Sequence, residues 1–315
     1  MILFSGTSNV PLSEAVASAL GVSLGKVEIT RFIDNECRVF VKDDVAGQEV
    51  FVLQSLSIVA DQHLIELCLL GQALKDLGAK RVTAVIPWLG YSKQDKAFRK
   101  GEAISAHLVA KFIEAAGFDA VITTELHSEN VLQFFHIPVV EISTHTFLAD
   151  TLRRKSSPPA TRGEALRAGL SLENVIVVSP DKGGKSRSDR FAKEVGLDIA
   201  YLEKSRDRQT GAVNITGIEG TVTGKDVVIF DDIINTGATA LKTSEFVKRK
   251  GAASVYFLAT HAVLAGSASI DLSRSVIDEV IVTDTISVSD DKRFDKLFIA
   301  SVSSLLADAI RKQTK

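Results

Sequence analysis

Cysteine is nearly missing from this chain of 315 residues: Cys37 and Cys68 stand alone, in neither a CxxC pair nor a metal-ligand spacing. That excludes a disulfide scaffold and a cysteine-built zinc site, and both thiols are expected to be buried small hydrophobes. Proline is sparse too, at 6 residues, and with 45% apolar and 24% charged residues the composition excludes a disordered chain. Neither charge sign dominates, since 37 Lys+Arg meet 39 Asp+Glu for a net charge of −2. Without a broad basic surface the chain is not expected to bind nucleic acid, although a local cationic site stays open. No apolar run approaches the roughly 20 residues that a membrane-spanning helix requires. Residues 1–6 carry no basic region and no cleavage signal. A cytoplasmic protein without a membrane partner is the expectation. Missing as well are a Walker A glycine loop and a strand–GxGxxG–helix fingerprint, so the P-loop and dinucleotide-binding classes drop out.

What is present is alternation. Short β-branched runs at 49–54, 82–86, 120–124, 175–179, 226–230, 255–259 and 279–283 read as strands. Between them, amphipathic stretches at 11–20, 61–77, 103–116, 186–195, 238–250 and 301–312 read as helices. Strands and helices taking turns imply βαβ units, in which parallel strands are buried on both faces and ligands bind at the strands' carboxyl ends.

The alternation also repeats. Gly47, Glu49 and a strand lead through a helix to Gly78-Ala79 and the strand at 82–86; Gly224, Asp226 and a strand lead through a helix to Gly251-Ala252 and the strand at 255–259. The segments 3–9 and 177–183 stand at matching distances before the two copies. A duplicated α/β domain follows, with the ranges 1–146 and 147–315. Pro158-Pro159 and the polar stretch 155–163 read as a loop or insertion opening the second half. The copies differ in chemistry: the second ends its strand on Asp231-Asp232, where the first has Gln54-Ser55.

The segment 227–239 carries the most chemistry. An apolar strand delivers Asp231 and Asp232, and a loop with Asn235, Thr236, Gly237, Ala238 and Thr239 enters a helix. Carboxylates there can accept hydrogen bonds from vicinal sugar hydroxyls, directly or through a metal, while loop N–H groups and hydroxyls cradle a phosphate at the helix N-terminus. A plain helix cap beside a solvated acidic pair is the other reading of these residues.

The segment resembles the ribose 5-phosphate loop of the type I phosphoribosyltransferase superfamily. Together with the duplication, it makes essentially the whole chain similar to the ribose-phosphate pyrophosphokinase family. The resemblance implies α/β architecture with two similar domains, each a mostly parallel central sheet flanked by helices. It also implies transfer of the β,γ-diphosphoryl group of MgATP to the C1 hydroxyl of ribose 5-phosphate, with Mg²⁺ as cofactor and ATP as co-substrate. The first domain is then expected to contribute the ATP site, and the second the sugar-phosphate site and a catalytic loop.

Residue by residue, the resemblance assigns ribose 5-phosphate to Asp181, Asp231, Asp232, Asn235, Thr236, Gly237, Ala238 and Thr239. It assigns catalysis to Lys204 and Arg206, which match the Lys-x-Arg of the family's flexible loop; by themselves they read equally as a solvated charge run within a polar stretch, 203–211. Cations carried by such a loop stabilise charge on a transferred phosphoryl group. Lys93, Gln94, Asp95 and Lys96 resemble a segment of the ATP site, with Ser92 and Lys93 where the family has Ala and Arg; lysine keeps the charge but loses the planar fork. Phe32, Asp34 and Glu36 match a Phe-x-Asp-Gly-Glu that meets adenine from a neighbouring subunit, which implies a homo-oligomer with its ATP site at a subunit interface. Alone, they read equally as an exposed hairpin, and Asn35 in place of Gly suits a positive φ better than most residues do.

Glu125 and His127 close a strand two positions apart, a spacing that shares one face if the strand continues. A structural histidine and a contact to a metal–phosphate complex are both open; the family's Asp-Leu-His implies the second. Asp181 and His127 are thus the expected metal-side residues. Lys182 stands where the family has a small residue, and Asn235 where it has a third acid. Two alternatives stay open: a phosphoribosyltransferase acting on a base, and a catalytically reduced partner of an active synthetase, for which Asn235, Glu125 and Lys93 argue.

Overall fold

The computed structural model describes residues 1–156, 174–179, 187–206 and 213–314. By contact they group into two compact units, one of residues 1–143, 284–287 and 301 onward, the other of the described residues within 144–283 and 288–300.

In the first unit the strands are β1 (Ile2–Ser5), β2 (Val27–Arg31), β3 (Cys37–Val41), β4 (Glu49–Leu53), β5 (Arg81–Ile86), β6 (Ala120–Thr124) and β7 (Val139–Ile142). Five of them make a sheet in the order β1-β4-β5-β6-β7, with every neighbour parallel. Strands β2 and β3 pair as a separate antiparallel hairpin. Parallel strands need cover on both faces, and β5 accordingly buries every residue except Arg81. Helix α1 (Val10–Leu20) starts where the Asn9 side chain accepts from Leu12 N–H, has Pro11 in its first turn, and stops at Gly21 in the left-handed conformation. Helix α2 (Ala60–Asp76) turns Leu67, Leu70 and Leu74 into a core shared with Val50, Val52 and Val82, and α3 (Ser105–Ala115) adds Val109 and Ile113 to it.

The second unit contains α4 (His145–Ser156), β8 (Val175–Ser179), α5 (Arg187–Val195), β9 (Asp198–Arg206), β10 (Val213–Glu219), β11 (Asp226–Ile234), α6 (Ala238–Arg249), β12 (Ser254–Ala262), α7 (Ala268–Ser273), β13 (Glu279–Thr283) and β14 (Leu297–Ala300). Its sheet runs β10-β9-β8-β11-β12-β13-β14. Only the edge strand β10 is antiparallel to its neighbour. The last five strands repeat the order of the first unit's five, which is the duplication in three dimensions. Glu49 and Asp226, the acids that open β4 and β11, face the first residues of the next strands, Arg81 and Ser254.

Three expectations change. Helix α8 (Ser303–Gln313) buries Leu306, Ala307 and Ile310 and packs on α1, β6 and β7. The C-terminal segment therefore groups with the first unit, where two contiguous ranges, 1–146 and 147–315, had been expected. Chain order cannot reveal this, because the apolar face of α8 does not name its partner. Secondly, strands over 2–5, 139–142, 198–206, 213–219 and 297–300 were not expected, most of them lying at a sheet edge, while 27–31 and 37–41 pair as the exposed hairpin that was one of the two readings of that segment. Thirdly, neither cysteine is fully buried. The Cys68 thiol is directed at the Phe112 carbonyl, 3.7 Å away, and burial pushes its pKa up to about 11, which leaves it a thiol at neutral pH. Pro158, Pro159 and most of the expected insertion lie outside the described residues, and Lys155 belongs to α4.

Candidate functional site

Strand β11 carries Asp231 and Asp232 inside its ladder and continues to Ile234, so the turn into α6 is only Asn235, Thr236 and Gly237. The strand end is held by Val263 and Leu264, whose N–H groups donate to Ile234 O at 2.9 and 3.1 Å, and by Ala265 N–H donating to Asn235 O at 2.8 Å. Gly237 takes φ 74° to turn the chain into α6, and no side chain caps that helix. The N–H groups of its first turn are left for solvent or an anion. A cavity of about 190 Å³ opens there, lined by Asp231, Asn235, Thr236, Gly237, Ala238 and Thr239 among others.

The two acids, expected to act together, are separated by the fold. Asp231 lines the cavity and Asp232 does not; the Asp232 side chain is wholly buried. Arg187, the first residue of α5, places Nη1 2.8 Å from Asp232 Oδ1 and 3.4 Å from Asp231 Oδ1. Burial first and the neighbouring Asp232 second raise the pKa of Asp231 to about 7, against the opposing pull of the Arg187 guanidinium. The next residue fastens the same helix end, with Ser188 Oγ donating to Phe230 O at 3.1 Å. Sequence reasoning missed Arg187, since a cation at a helix start is unremarkable until β8 and β11 are known to be neighbours.

The matching place in the first unit is filled by the chain's own side chains. Glu66, buried in α2, accepts from Thr7 N–H at 2.6 Å, Thr7 Oγ1 at 2.7 Å and Gln54 Nε2 at 2.7 Å. Ser8 N–H donates to Gln54 Oε1 at 3.0 Å. The substitution of Gln54-Ser55 for an acidic pair thus accompanies a closed polar network in place of an open cradle.

Elsewhere in the first unit, two expected segments meet. Asn130 Nδ2 donates to Asp95 Oδ2 at 3.3 Å. Burial alone raises the Asp95 carboxyl, but hydrogen bonds from Ser128 and Asn130 outweigh it and hold the group below its ordinary value. This joins 93–96 to the segment of His127. Gln94 Oε1 accepts from Ser105 Oγ at 2.7 Å, and Lys96 lies 5.2 Å from the centre of the Phe98 ring. The shared face expected of Glu125 and His127 is not found. Strand β6 ends at Thr124, Glu125 turns with φ 32°, and it is buried while His127 is half exposed. The neighbouring strand β7 takes up the backbone there: Glu125 N–H donates to Ile142 O and Leu126 N–H to Glu141 Oε1, as the chain leaves the ladder.

Phe32, Asp34 and Glu36 sit at the tip of the β2–β3 hairpin. Asn35 there adopts φ 70°, the left-handed conformation its place in a glycine position suggests. Phe32 is 54% exposed, and Asp34 Oδ1 accepts from Glu36 N–H at 3.2 Å. Asn35 and Glu36 line a groove of about 480 Å³ with Asp61, Gln62, Ile65 and Leu69 of α2, and neither 93–96 nor His127 lines it. Lys204 and Arg206 are strand residues, opposite Ile215 and Val213 of β10. The loop expected from 204 therefore starts later, because the antiparallel pairing runs on to Arg206. Residues 207–212 lie outside the described residues, as do Asp181 and Lys182. Among the described residues no group of three or more His, Cys, Asp or Glu is placed to hold a metal ion, and no helix is long and apolar enough to cross a membrane.

Comparison with known proteins places the chain. A family model described as the N-terminal domain of ribose phosphate pyrophosphokinase matches residues 1–117, and one described as a phosphoribosyl synthetase-associated domain matches residues 209–315. The ribose-phosphate pyrophosphokinase of Ralstonia nicotianae is 38% identical over 310 residues, 98% of this chain and 93% of that protein. That of Bacillus caldolyticus is 35% identical over 308 residues, 98% and 93% of the respective chains. The crystal structure of phosphoribosylpyrophosphate synthetase from Mycobacterium smegmatis superposes with a TM-score of 0.88 at 32% identity, covering 99% of this chain and 98% of that one.

Proposed function

The chain belongs to the ribose-phosphate pyrophosphokinase family, and from that premise we propose that it transfers the β,γ-diphosphoryl group of ATP to the C1 hydroxyl of ribose 5-phosphate, releasing AMP. The observation that carries this reading is the cavity at the head of α6, where an uncapped helix start, two threonines and the Asp231 carboxylate converge. The sugar's phosphate takes the N–H groups and hydroxyls of 235–239, and its ring hydroxyls donate to Asp231. Asp181 belongs to the same set.

Lys93, Gln94, Asp95, Lys96 and His127 hold ATP, a role supported by the Asp95–Asn130 bond that draws 93–96 to the segment of His127. Phe32, Asp34 and Glu36 serve adenine in a neighbouring subunit of a homo-oligomer. Their exposure on a hairpin whose groove contains none of the other ATP residues supports that role. Lys204 and Arg206 stabilise the charge on the transferred group as the sugar O1 attacks the β-phosphorus in line. No protein nucleophile is required.

The donor set fits magnesium. Mg²⁺ keeps several waters and takes one or two carboxylates plus substrate phosphates, so a single protein carboxylate beside the ATP phosphates is a sufficient donor set. Asp181 would hold the ion, with His127 on the oxygens of its phosphates. Bound with ATP, magnesium neutralises the phosphate oxygens and polarises the phosphorus under attack.

Phosphorus NMR of the protein with ATP, Mg²⁺ and ribose 5-phosphate tests the proposal. AMP and a new diphosphate ester are expected only when the sugar is present. Replacing Lys204 and Arg206 together by Ala is expected to cost on the order of a thousandfold in kcat. Verified folding and substrate binding without turnover would overturn it in favour of a catalytically reduced partner.

A further inference from the structure

A carboxylate with no exposed surface must be paired or neutralised. Asp232 is in that position, and Arg187 Nη1 stands 2.8 Å from its Oδ1. The same nitrogen lies 3.4 Å from Asp231 Oδ1, on the acid that faces the cavity. One guanidinium therefore spans a buried charge and an open one. Its backbone is fixed, because the neighbouring Ser188 hydroxyl donates to Phe230 O, the carbonyl just before the acidic pair. Two adjacent carboxylates repel each other, and Asp232 N–H already donates to Asp231 Oδ1 at 2.9 Å. A cation within reach of both acids offsets that repulsion and favours the ionised form of each.

We propose that Arg187 is a positioning residue for the sugar-phosphate site: paired with buried Asp232, it orients the Asp231 carboxylate at the cavity and favours its ionised form over the protonated one. The inference rests on the reading of that cavity as the ribose 5-phosphate site. It assigns Asp232 a role distinct from Asp231, as the buried anchor of the arginine and not as a sugar ligand. Arg187 touches no substrate; it acts through the two acids. An ordinary structural ion pair would affect both substrates alike, whereas this one affects the sugar alone.

The test compares Arg187→Gln, Arg187→Lys and the double variant Arg187→Gln/Asp232→Asn with the unaltered protein. KM for ribose 5-phosphate, KM for ATP and kcat are measured for each. In Arg187→Gln the ribose 5-phosphate KM is expected to rise about 10- to 100-fold, as for partners that orient a ligating group, with the ATP KM unchanged. Added guanidinium chloride at low concentration is expected to restore part of it, with sodium chloride as control. Arg187→Lys, which keeps the charge, should lose less. If the buried, unpaired Asp232 prevents Arg187→Gln from folding, the double variant removes that charge and should fold and recover sugar affinity relative to any residual single-variant activity. An equal rise in both KM values, no rise at all, or a folded double variant that binds ribose 5-phosphate no better than Asp231→Asn would overturn the proposal. If the unaltered protein makes no sugar-dependent AMP, the functional reading fails; if it does and the Arg187 variants are neutral, only this inference fails.

Discussion

Asp231 shows how much of the site is decided around a single carboxylate. Its pKa is raised to about 7 by burial first and by Asp232 second, against the pull of Arg187. An aspartate raised above its unfolded value, near 3.9, binds protons in the native state that the unfolded chain has already released. Its contribution to stability is therefore present below about pH 4 and lost as pH rises through about 7. Function runs the other way, because only the ionised form accepts two hydroxyl protons. We expect kcat/KM for ribose 5-phosphate to climb with pH through about 7, and Asp231→Asn to lower it and flatten that limb. A profile unchanged by Asp231→Asn would assign the limb to another group. Asn235 shows the opposite case, a departure that lines the same cavity while its carbonyl holds Ala265. The backbone role survives the exchange of Asp for Asn.

At the level of elements, the turn between β11 and α6 does the positioning. It has room for three residues, and Gly237 closes it at φ 74°, a conformation that costs an L-residue with a side chain about 1–2 kcal/mol. A Cβ there would sit 3.4 Å from Leu272 Cγ, so space is adequate and backbone strain is the main cost. Gly237→Ala should lower stability by that amount in urea unfolding and weaken ribose 5-phosphate more than ATP; equal stability would mean that the turn relaxes without cost. The β9–β10 hairpin is the second device. By pairing through Arg206 with Val213, it carries Lys204 and Arg206 on a ladder and shortens the connection to 207–212. In the first unit the corresponding strand end and helix are locked by Glu66, Gln54 and Thr7, so the same strand-and-helix plan there carries a side-chain network in place of the acidic pair.

Over the whole molecule, duplication gives two sheets that share a five-strand order, the second extended by β9 and β10, and the C-terminal helix groups with the first of them. Helix α8 buries Leu306, Ala307 and Ile310 on α1, β6 and β7. Each large side chain contributes about 1.5–3 kcal/mol by leaving water, a sizeable share of the roughly 5–15 kcal/mol that holds a domain together. Truncation after Ala300 should therefore loosen the first unit and leave the second largely intact. Hydrogen exchange should show protection lost in β6, β7 and α1 while β11 and β12 stay protected. Uniform protection after truncation would make α8 dispensable.

The duplicated α/β plan, the buried central strands and the turn that leads from the acidic pair into a helix were legible in the residues, because each rests on local periodicity or on a motif contiguous in the chain. Asn35 even declared its positive φ by standing in a glycine position. Arg187 facing Asp231 and Asp232, the parting of Glu125 from His127, the Glu66 network and the return of α8 to the first unit were not. Each depends on which strands become neighbours, and that follows from how apolar faces many residues apart exclude water together, a choice that no local pattern encodes.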